Sequence, residues 1–335
     1  MDGRAPGAER GHDPEADRGR RAWEGYVAAL EALLALEGVA ARRDFWEAGG
    51  GEADRIHYLD VGRGRPVILV HGGGGGGANW FRVMGPLSQR YRVLAPDLPG
   101  FGLSSWTEPR RPLGWTGASW LASWLDGVGV DRFDIVGTSL GGLLALRLAQ
   151  RWPERVGRLV LLSSAGLGRS VPWPVRLATL PGVGRWGLRP KPSGTRWLFE
   201  RYLTSNRGQL GGQREAALLE YLYRSERLGD ARQMARALRA FCGVGGQREV
   251  VSAGELKRLS TPTLVVWGGR DRFFPVRHGE RAAAGMPAGR LALIPEAGHS
   301  PNWETPGSFT EALLAFLSGA VVGRRGGESG RGSGV

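Results

Sequence analysis

The stretch Phe133-Asp134-Ile135-Val136-Gly137-Thr138-Ser139-Leu140-Gly141-Gly142 decides how this chain is read. It opens as a short apolar strand, Phe133 to Val136, turns through Gly137 to Gly142, and runs at once into the helical pattern Leu143 to Gln150. Ser139 therefore stands at a strand-to-helix turn, with a glycine two places before it and another two places after. A turn this sharp excludes side chains at those two places and holds the hydroxyl clear of the sheet. The pentapeptide Gly-x-Ser-x-Gly carries little weight alone in a chain where 56 of 335 residues are Gly. Its flanking strand and helix, and the partners it needs elsewhere, carry the argument.

Outward from this turn the chain alternates. Short strands are predicted at about 41–47, 55–61 and 67–70, then a helix near 79–89, a strand at 91–95, a helix at 115–126, the strand at Phe133, a helix at 140–151 and a strand at 158–162. Near-continuous apolar strands alternating with helices predict an α/β fold: a mostly parallel central sheet with helices on both faces. The alternation stops for residues 165–255, which begin rich in proline and continue as helices near 194–204, 213–227 and 230–242, each with one apolar face. It resumes with a strand at 263–267, a helix at 275–286, a strand at 291–294 and a helix at 306–317. The division expected is one core over 22–164 and 256–318, interrupted by a helical cap at 165–255. An amphipathic helix from Trp23 to Glu37, spaced through Val27, Leu30 and Leu34, is laid on the body or serves a partner. Residues 1–21 and 319–335, rich in Gly, Arg and acidic residues with little to bury, are expected to be disordered.

A serine hydroxyl is a weak nucleophile at neutral pH, so Ser139 needs a base, and the base needs a carboxylate to fix its tautomer. Of five histidines, His12 lies in the polar N-terminus, His57 is mid-strand, with a half-buried or surface place expected, and His278 is on a helix, with exposure expected. His71 opens a glycine-rich loop suited to another task. His299, in the loop Pro295-Glu296-Ala297-Gly298-His299 after the last strand, is the predicted base. Asp271, in the loop after the preceding strand, is the predicted acid, although it could instead cap its own loop. Asp97 is a weaker rival, since a carboxylate in Asp97-Leu98-Pro99-Gly100-Phe101-Gly102 more often ties down its own turn. Acyl transfer also needs donors for an oxyanion. The Leu140 N–H, at a helix start, supplies one, and the six glycines Gly72 to Gly77 let the backbone approach a ligand, with the Gly73 N–H as the second donor. The loop lacks the endings of a nucleotide-phosphate cradle.

Composition narrows the class. The net charge is +13, but only two of 45 basic residues are Lys and the arginines are spread over the whole chain, so the charge reads as an Arg-rich bias and not as a nucleic-acid surface. The single cysteine, Cys242, excludes an intramolecular disulfide framework and fits a reducing compartment. With no secretory leader pattern and no apolar run long enough to span a bilayer, a cytoplasmic protein without stable membrane insertion is expected.

His71-Gly72, Asp97 to Gly102, Gly137 to Gly142, Gly268 to Pro275 and Gly298-His299 together resemble the α/β-hydrolase superfamily over residues 40–318. The resemblance implies Ser139 as nucleophile, Asp271 as acid, His299 as base, and Gly73 and Leu140 as oxyanion donors, with no cofactor and no metal. Trp80, Trp173, Phe199 and Phe241 are candidate substrate contacts, beside Trp186 and Trp197, and each also fits a place in its own core. The loop His71 to Trp80 looks like that of the meta-cleavage-product carbon–carbon hydrolases. However, Gly75 stands where they usually have Pro, and Ser300 follows His299 where they usually have Trp. The expectation is therefore a small-molecule carboxylic ester, apolar or aromatic, cleaved through an acyl-enzyme. Alternatives are a carbon–carbon bond hydrolase of the meta-cleavage type and a non-catalytic small-molecule receptor on the same fold.

Overall fold

Val67, Ile68, Leu69 and Val70 are all buried, yet they serve two separate cores, because successive side chains of a strand point to opposite faces. The computed structural model describes residues 14–48, 55–105, 111–205, 210–229 and 231–319, and the side chains of 14–18, Arg185 and Trp186 lie outside what is described. Eight strands form the main sheet: β1 (Arg42–Glu47), β2 (Arg55–Val61), β3 (Pro66–Val70), β4 (Arg92–Pro96), β5 (Phe133–Thr138), β6 (Val156–Leu162), β9 (Thr263–Gly268) and β10 (Gly289–Ile294). Their order is β1-β2-β4-β3-β5-β6-β9-β10. β1, β2 and β4 pair antiparallel, and every pairing from β4 onward is parallel. A short hairpin, β7 (Cys242–Gly243) and β8 (Gly246–Gln247), stands apart.

One core holds Val67, Leu69, Val136 and Val266 of the sheet against α1 (Pro14–Ala35), α2 (Phe81–Ser88) and α13 (Pro306–Ser318). The other holds Ile68, Val70, Ile135 and Val265 against α3 (Leu113–Gly127), α4 (Leu140–Arg151), α10 (Ala253–Lys257) and α11 (Arg277–Gly285). Between β6 and β9 run α5 (Trp173–Leu177), α6 (Val183–Gly187), α7 (Pro192–Leu198), a π-helical turn (Phe199–Leu203), α8 (Gly212–Leu228) and α9 (Ala231–Phe241). Phe199, Leu218 and Tyr221 join the first core, and Leu167, Val171 and Cys242 join the second, so this segment is bound to both. A buried ion-pair network ties its return to the core. Arg147 on α4 bonds Glu249 (2.7 Å) and Glu255 (2.5 Å) while its guanidinium covers the Trp115 ring at 4.6 Å, and Glu249 also accepts from the Gly114 N–H at 2.7 Å. Burial opposes the charge on Glu255, but the Ser252 amide and hydroxyl and then Arg147 hold its carboxyl down to about 2.

Several expectations are corrected. Helix α1 starts at Pro14, so the polar stretch up to Arg21 is helical from there, and residues 1–13 and 320–335 lie outside the described residues. Its buried stripe is Tyr26, Leu30, Leu33 and Leu34, whereas Trp23 is 40% exposed. The stripe meets α8, where the Tyr26 and Tyr221 hydroxyls lie 3.1 Å apart. The proline-rich start of the helical segment forms three short helices, α5, α6 and α7, and Pro174 and Pro192 fall in the first turns of α5 and α7, where a missing N–H costs nothing.

Candidate active site

Ser139 adopts φ 51° and ψ −118°, a conformation L-residues avoid unless the surroundings impose it. The surroundings do so here. The Ser139 N–H donates to the Leu162 carbonyl of β6 (3.0 Å), and its own carbonyl accepts from Gly142 and Ala165. A Cβ on Gly137 would run into the Gly141 backbone, and one on Gly141 into the carbonyls of Val70 and His71, which explains both glycines. Leu140 opens α4, so its N–H has no intrahelical acceptor and sits at the positive end of the helix dipole.

Asp271 and His299 follow β9 and β10 at the same carboxyl edge of the sheet from which Ser139 emerges. The structure brings these two together. His299 Nδ1 lies 2.9 Å from Asp271 Oδ2, and the two side chains are 5% and 0% exposed. A carboxylate only accepts, so Nδ1 carries the hydrogen and Nε2 is left with its lone pair. Asp271 Oδ1 meanwhile accepts the N–H groups of Phe273 (2.7 Å) and Phe274 (2.9 Å). The two readings of Asp271, partner of a histidine and cap of its own loop, thus hold at once through different oxygens. The Phe273 and Phe274 rings flank the imidazole at 4.9 and 5.2 Å.

The glycine loop is anchored at almost every peptide. His71 Nδ1 donates to the Gly72 carbonyl (2.7 Å) while its Nε2 accepts from the Leu98 N–H (2.8 Å), which fixes a neutral imidazole; burial pushes its pKa below the ordinary histidine value, over the opposing pull of Asp97. Asn79 Nδ2 donates to Gly74, the Ser225 hydroxyl of α8 donates to Gly75, and the Gly77 N–H donates to Asp97. Gly74 and Gly75 need positive φ, 91° and 71°, to turn the chain. The Gly73 N–H has no partner among the described residues. Because His71 holds the Gly72 carbonyl, the trans peptide aims the Gly73 N–H the opposite way. The loop passes against the turn, for a Cβ on Gly72 would lie 3.0 Å from Ser139 Cβ.

Other expected residues fall elsewhere. His57 is wholly buried, against the expectation of a half-buried or surface place, and bonds Asp97 at 2.8 Å. His278 is buried, not exposed, because α11 packs it under Gly168 and Phe274. Asp97 ties down its own turn as expected, through the Leu103 N–H, and also braces Gly77. Burial alone would raise its pKa, but His57, His71 and the Gly77 amide hold it below the ordinary carboxylate value. The four aromatic residues proposed to touch substrate are not gathered. Trp80 is fully buried and stacked on Phe309, Phe199 is fully buried and stacked on Trp303, Phe241 packs at the edge of the second core, and Trp173 is 68% exposed.

One set of residues was not singled out from the sequence. Glu304, buried in α12 (Pro301–Glu304), accepts the Gly298 N–H through Oε1 (2.8 Å) and both the N–H and hydroxyl of Ser205 through Oε2 (2.6 and 2.8 Å). The Ser205 hydroxyl also lies 2.9 Å from the Glu296 carbonyl, so its single hydrogen is shared between that oxygen and Glu304, and Tyr202 on the π-helical turn meets Phe273 edge-on at 6.3 Å. The helical segment is thereby fastened to the loop that carries His299. The available signal was an acidic residue following an aromatic one, five positions after His299, directly before Thr305-Pro306.

A family model for the alpha/beta hydrolase fold matches residues 65–306, and the chain belongs to that family. Within it, the chain is 32% identical over 278 residues to a 2-hydroxy-6-oxo-6-phenylhexa-2,4-dienoate hydrolase of Burkholderia cepacia, covering 79% of this chain and 91% of that one. Among solved structures it is similar to a mutant form of the meta-cleavage product hydrolase CumD of Pseudomonas fluorescens IP01, with 26% identity, TM-score 0.68, and 82% and 97% of the two chains covered. The carboxylesterase CesB of Bacillus subtilis shares the fold at TM-score 0.72 and 21% identity, covering 91% of this chain and all of that one. These relatives overturn the expectation of a carboxylic ester, which rested on Gly75 and Ser300. Ser300 is buried and its carbonyl starts α12 by accepting from Trp303 and Glu304, a backbone role open to any residue, so a serine here is no mark of an ester substrate. No helix among the described residues is long and apolar enough to cross a membrane.

Proposed function

We propose that this protein is a serine-dependent carbon–carbon bond hydrolase acting on a 2-hydroxy-6-oxo-dienoate, a vinylogous diketone acid. The observation that carries this reading is the 32% identity over 278 residues to a hydrolase of that name, in a chain whose Ser139, Asp271 and His299 follow parallel strands at one edge of the sheet. A carbon leaving group must have somewhere to put its electron pair. Moving the proton of the 2-hydroxyl to C5 makes C2 a carbonyl, and the pair of the C5–C6 bond can then pass through the C3=C4 double bond onto the C2 oxygen.

In this reading His299 Nε2 takes the Ser139 proton as Oγ adds to the C6 carbonyl, with Asp271 stabilising the cation. The Gly73 and Leu140 N–H groups hold the C6 oxyanion. The C5–C6 bond breaks, His299 protonates the departing dienolate, and an acyl group remains on Ser139. Water, giving its proton to His299, releases the carboxylic acid and restores Ser139. Atoms balance with water alone. Segment 165–255 serves as a cap over this edge, a role supported by the contacts of Ser205, Tyr202 and Ser225 with the loops of the site.

The test is turnover of 2-hydroxy-6-oxo-6-phenylhexa-2,4-dienoate, followed by loss of its dienolate absorbance and by one-to-one release of benzoate and 2-hydroxypenta-2,4-dienoate. Ser139→Ala is expected to lose at least ~1000-fold in kcat. A folded wild type that turns this compound over no faster than Ser139→Ala sinks the proposal.

A further inference from the structure

The arginines are spread along the chain, but the acidic residues are not. Between Glu154 and Glu200 there are eight basic residues and no acidic one. This is the part of the chain that carries α5, α6 and α7; Arg169, Arg176, Arg189 and Lys191 stand exposed there, while Arg196 is paired with Glu200 and Glu215. The same stretch holds most of the large apolar side chains that the fold leaves in solvent. Trp173 is 68% exposed, Leu177 43%, Leu180 37% and Val183 49%, all within eleven residues.

These residues share one surface. Trp173 and Leu177 are one turn apart on α5, the Leu180 N–H donates to the Leu177 carbonyl, and the Gly184 N–H donates to Leu180, so a short hydrogen-bonded turn joins α5 to α6. Arg176 donates to the carbonyl of Val244, which brings in a further apolar side chain, 56% exposed. Gly184 packs on Ala235 of α9, a helix bearing Arg232, Arg236 and Arg239 and no acidic residue. α5 packs on β7 and α6 packs on α9, and with those contacts made these side chains still stand in solvent.

The geometry points to a peripheral docking surface for an anionic lipid bilayer, formed by α5, α6 and the turn that joins them, with the arginines around them. The chemistry of the two parts matches the two layers of such a surface. Apolar anchors with a Trp among them enter the headgroup–acyl boundary, and arginines pair with headgroup phosphates while their stems lie along the apolar layer. A basic nucleic-acid surface needs no cluster of exposed Leu, Val and Trp, and a self-association surface gains nothing from a stretch stripped of counter-charges. This inference stands independently of the reaction proposed above.

The experiment is vesicle co-sedimentation of the full chain at about physiological salt, with phosphatidylcholine vesicles and with vesicles in which part of it is replaced by phosphatidylglycerol. Expected are binding to the anionic vesicles at least ~10-fold tighter than to the neutral ones, and weakening by added salt. Two variants dissect it: Leu177→Ser/Leu180→Ser/Val183→Ser, which keeps every charge, and Arg169→Gln/Arg189→Gln, which keeps every apolar anchor. Each is expected to lose ~10-fold or more in partitioning while keeping the wild-type unfolding midpoint within a few degrees. Absence of binding to either vesicle overturns the inference. So does anionic binding that the apolar triple variant leaves intact, which reduces it to nonspecific attraction by a +13 chain. A solution mass of two chains that the triple variant returns to one also overturns it, in favour of a second copy on this face.

Discussion

The molecule contains two aspartate–histidine pairs of almost the same local geometry. Asp271–His299 is joined at 2.9 Å and Asp97–His57 at 2.8 Å, each through Nδ1 and Oδ2, and each aspartate also accepts backbone N–H groups. What differs is where the second ring nitrogen faces. His57 is completely enclosed, and its Nε2 is buried without a hydrogen-bond partner. His299 stands in a loop at the carboxyl edge of the parallel strands, on the side where the sheet delivers Ser139. The same pair is a brace in one place and, in the function proposed above, a base in the other, so the role belongs to the topology and not to the pair.

The largest effect expected from separating the two is on turnover. Asp271→Asn keeps the size of the side chain but lets the amide favour the wrong tautomer of His299, and kcat on the dienoate is expected to fall by about 10,000-fold with the unfolding midpoint within a few degrees of wild type. Retention of more than a tenth of wild-type kcat would remove Asp271 from the proposed mechanism.

Asp97→Ala is expected to do the reverse. It strands His57 and the N–H groups of Gly77 and Leu103 in a place with no water, and removing one partner from a buried pair costs ~3–5 kcal/mol. Urea unfolding should show that loss, while kcat per folded molecule falls far less than in Asp271→Asn. If Asp97→Ala were as stable as the wild type, the brace reading would fail.

How much of this was legible follows from chain distance. Ser139, the strand before it and the helix after it are local, and the loops carrying Asp271 and His299 could be placed because a parallel sheet puts all its strand ends on one edge. The Asp97–His57 pair was not legible, since it depends on β2 lying antiparallel beside β4, a pairing no periodicity announces. The burial of His278 and the exposure of Trp173 were misplaced for a related reason: helical spacing marks an apolar face but does not say which neighbour covers it. The bond to be cleaved was misread from Ser300, a single loop residue whose setting is packing.

Glu304 sharpens the comparison because it is a third carboxylate that acts on a histidine, here through the backbone. Its oxygens hold the Gly298 N–H beside His299 and the Ser205 that closes the helical segment over the loop. Glu304→Gln keeps the shape but replaces one acceptor oxygen with a donor, so either Gly298 or Ser205 is left facing an N–H. An ångström of slack in the base is enough to cost kcat about 10- to 100-fold. Pure loss of packing would lower the unfolding midpoint and leave kcat of the folded fraction near wild type, and that outcome would deny Glu304 a positioning role. Ser205→Ala, which removes only the hydroxyl, should show a smaller fall in the same direction.

The smallest effect is on stability in acid, and it separates the bracing groups from the reacting ones. Burial lowers the pKa of His71, so the folded protein refuses a proton that the unfolded chain accepts below about 6.5. The sign is a loss of stability as pH falls below that value, at up to about 1.4 kcal/mol per pH unit for one group. Asp97, held below its ordinary value, adds a second loss that begins below about pH 4, where the unfolded chain takes up a proton that the folded carboxylate still refuses, and that is complete once the folded carboxylate is protonated. Unfolding free energies measured from pH 8 to pH 5 should therefore decline for the wild type, decline equally for Ser139→Ala, and decline less steeply for His71→Asn, the remainder coming from His278, whose pKa burial and the neighbouring Arg277 and Arg281 also lower. An unchanged slope in His71→Asn would assign the acid sensitivity to some other group and leave His71 as a spacer behind the glycine loop. A shallower slope would tie the loop that presents the Gly73 N–H to a histidine that must stay neutral, because Nε2 can accept from Leu98 only while it carries no proton.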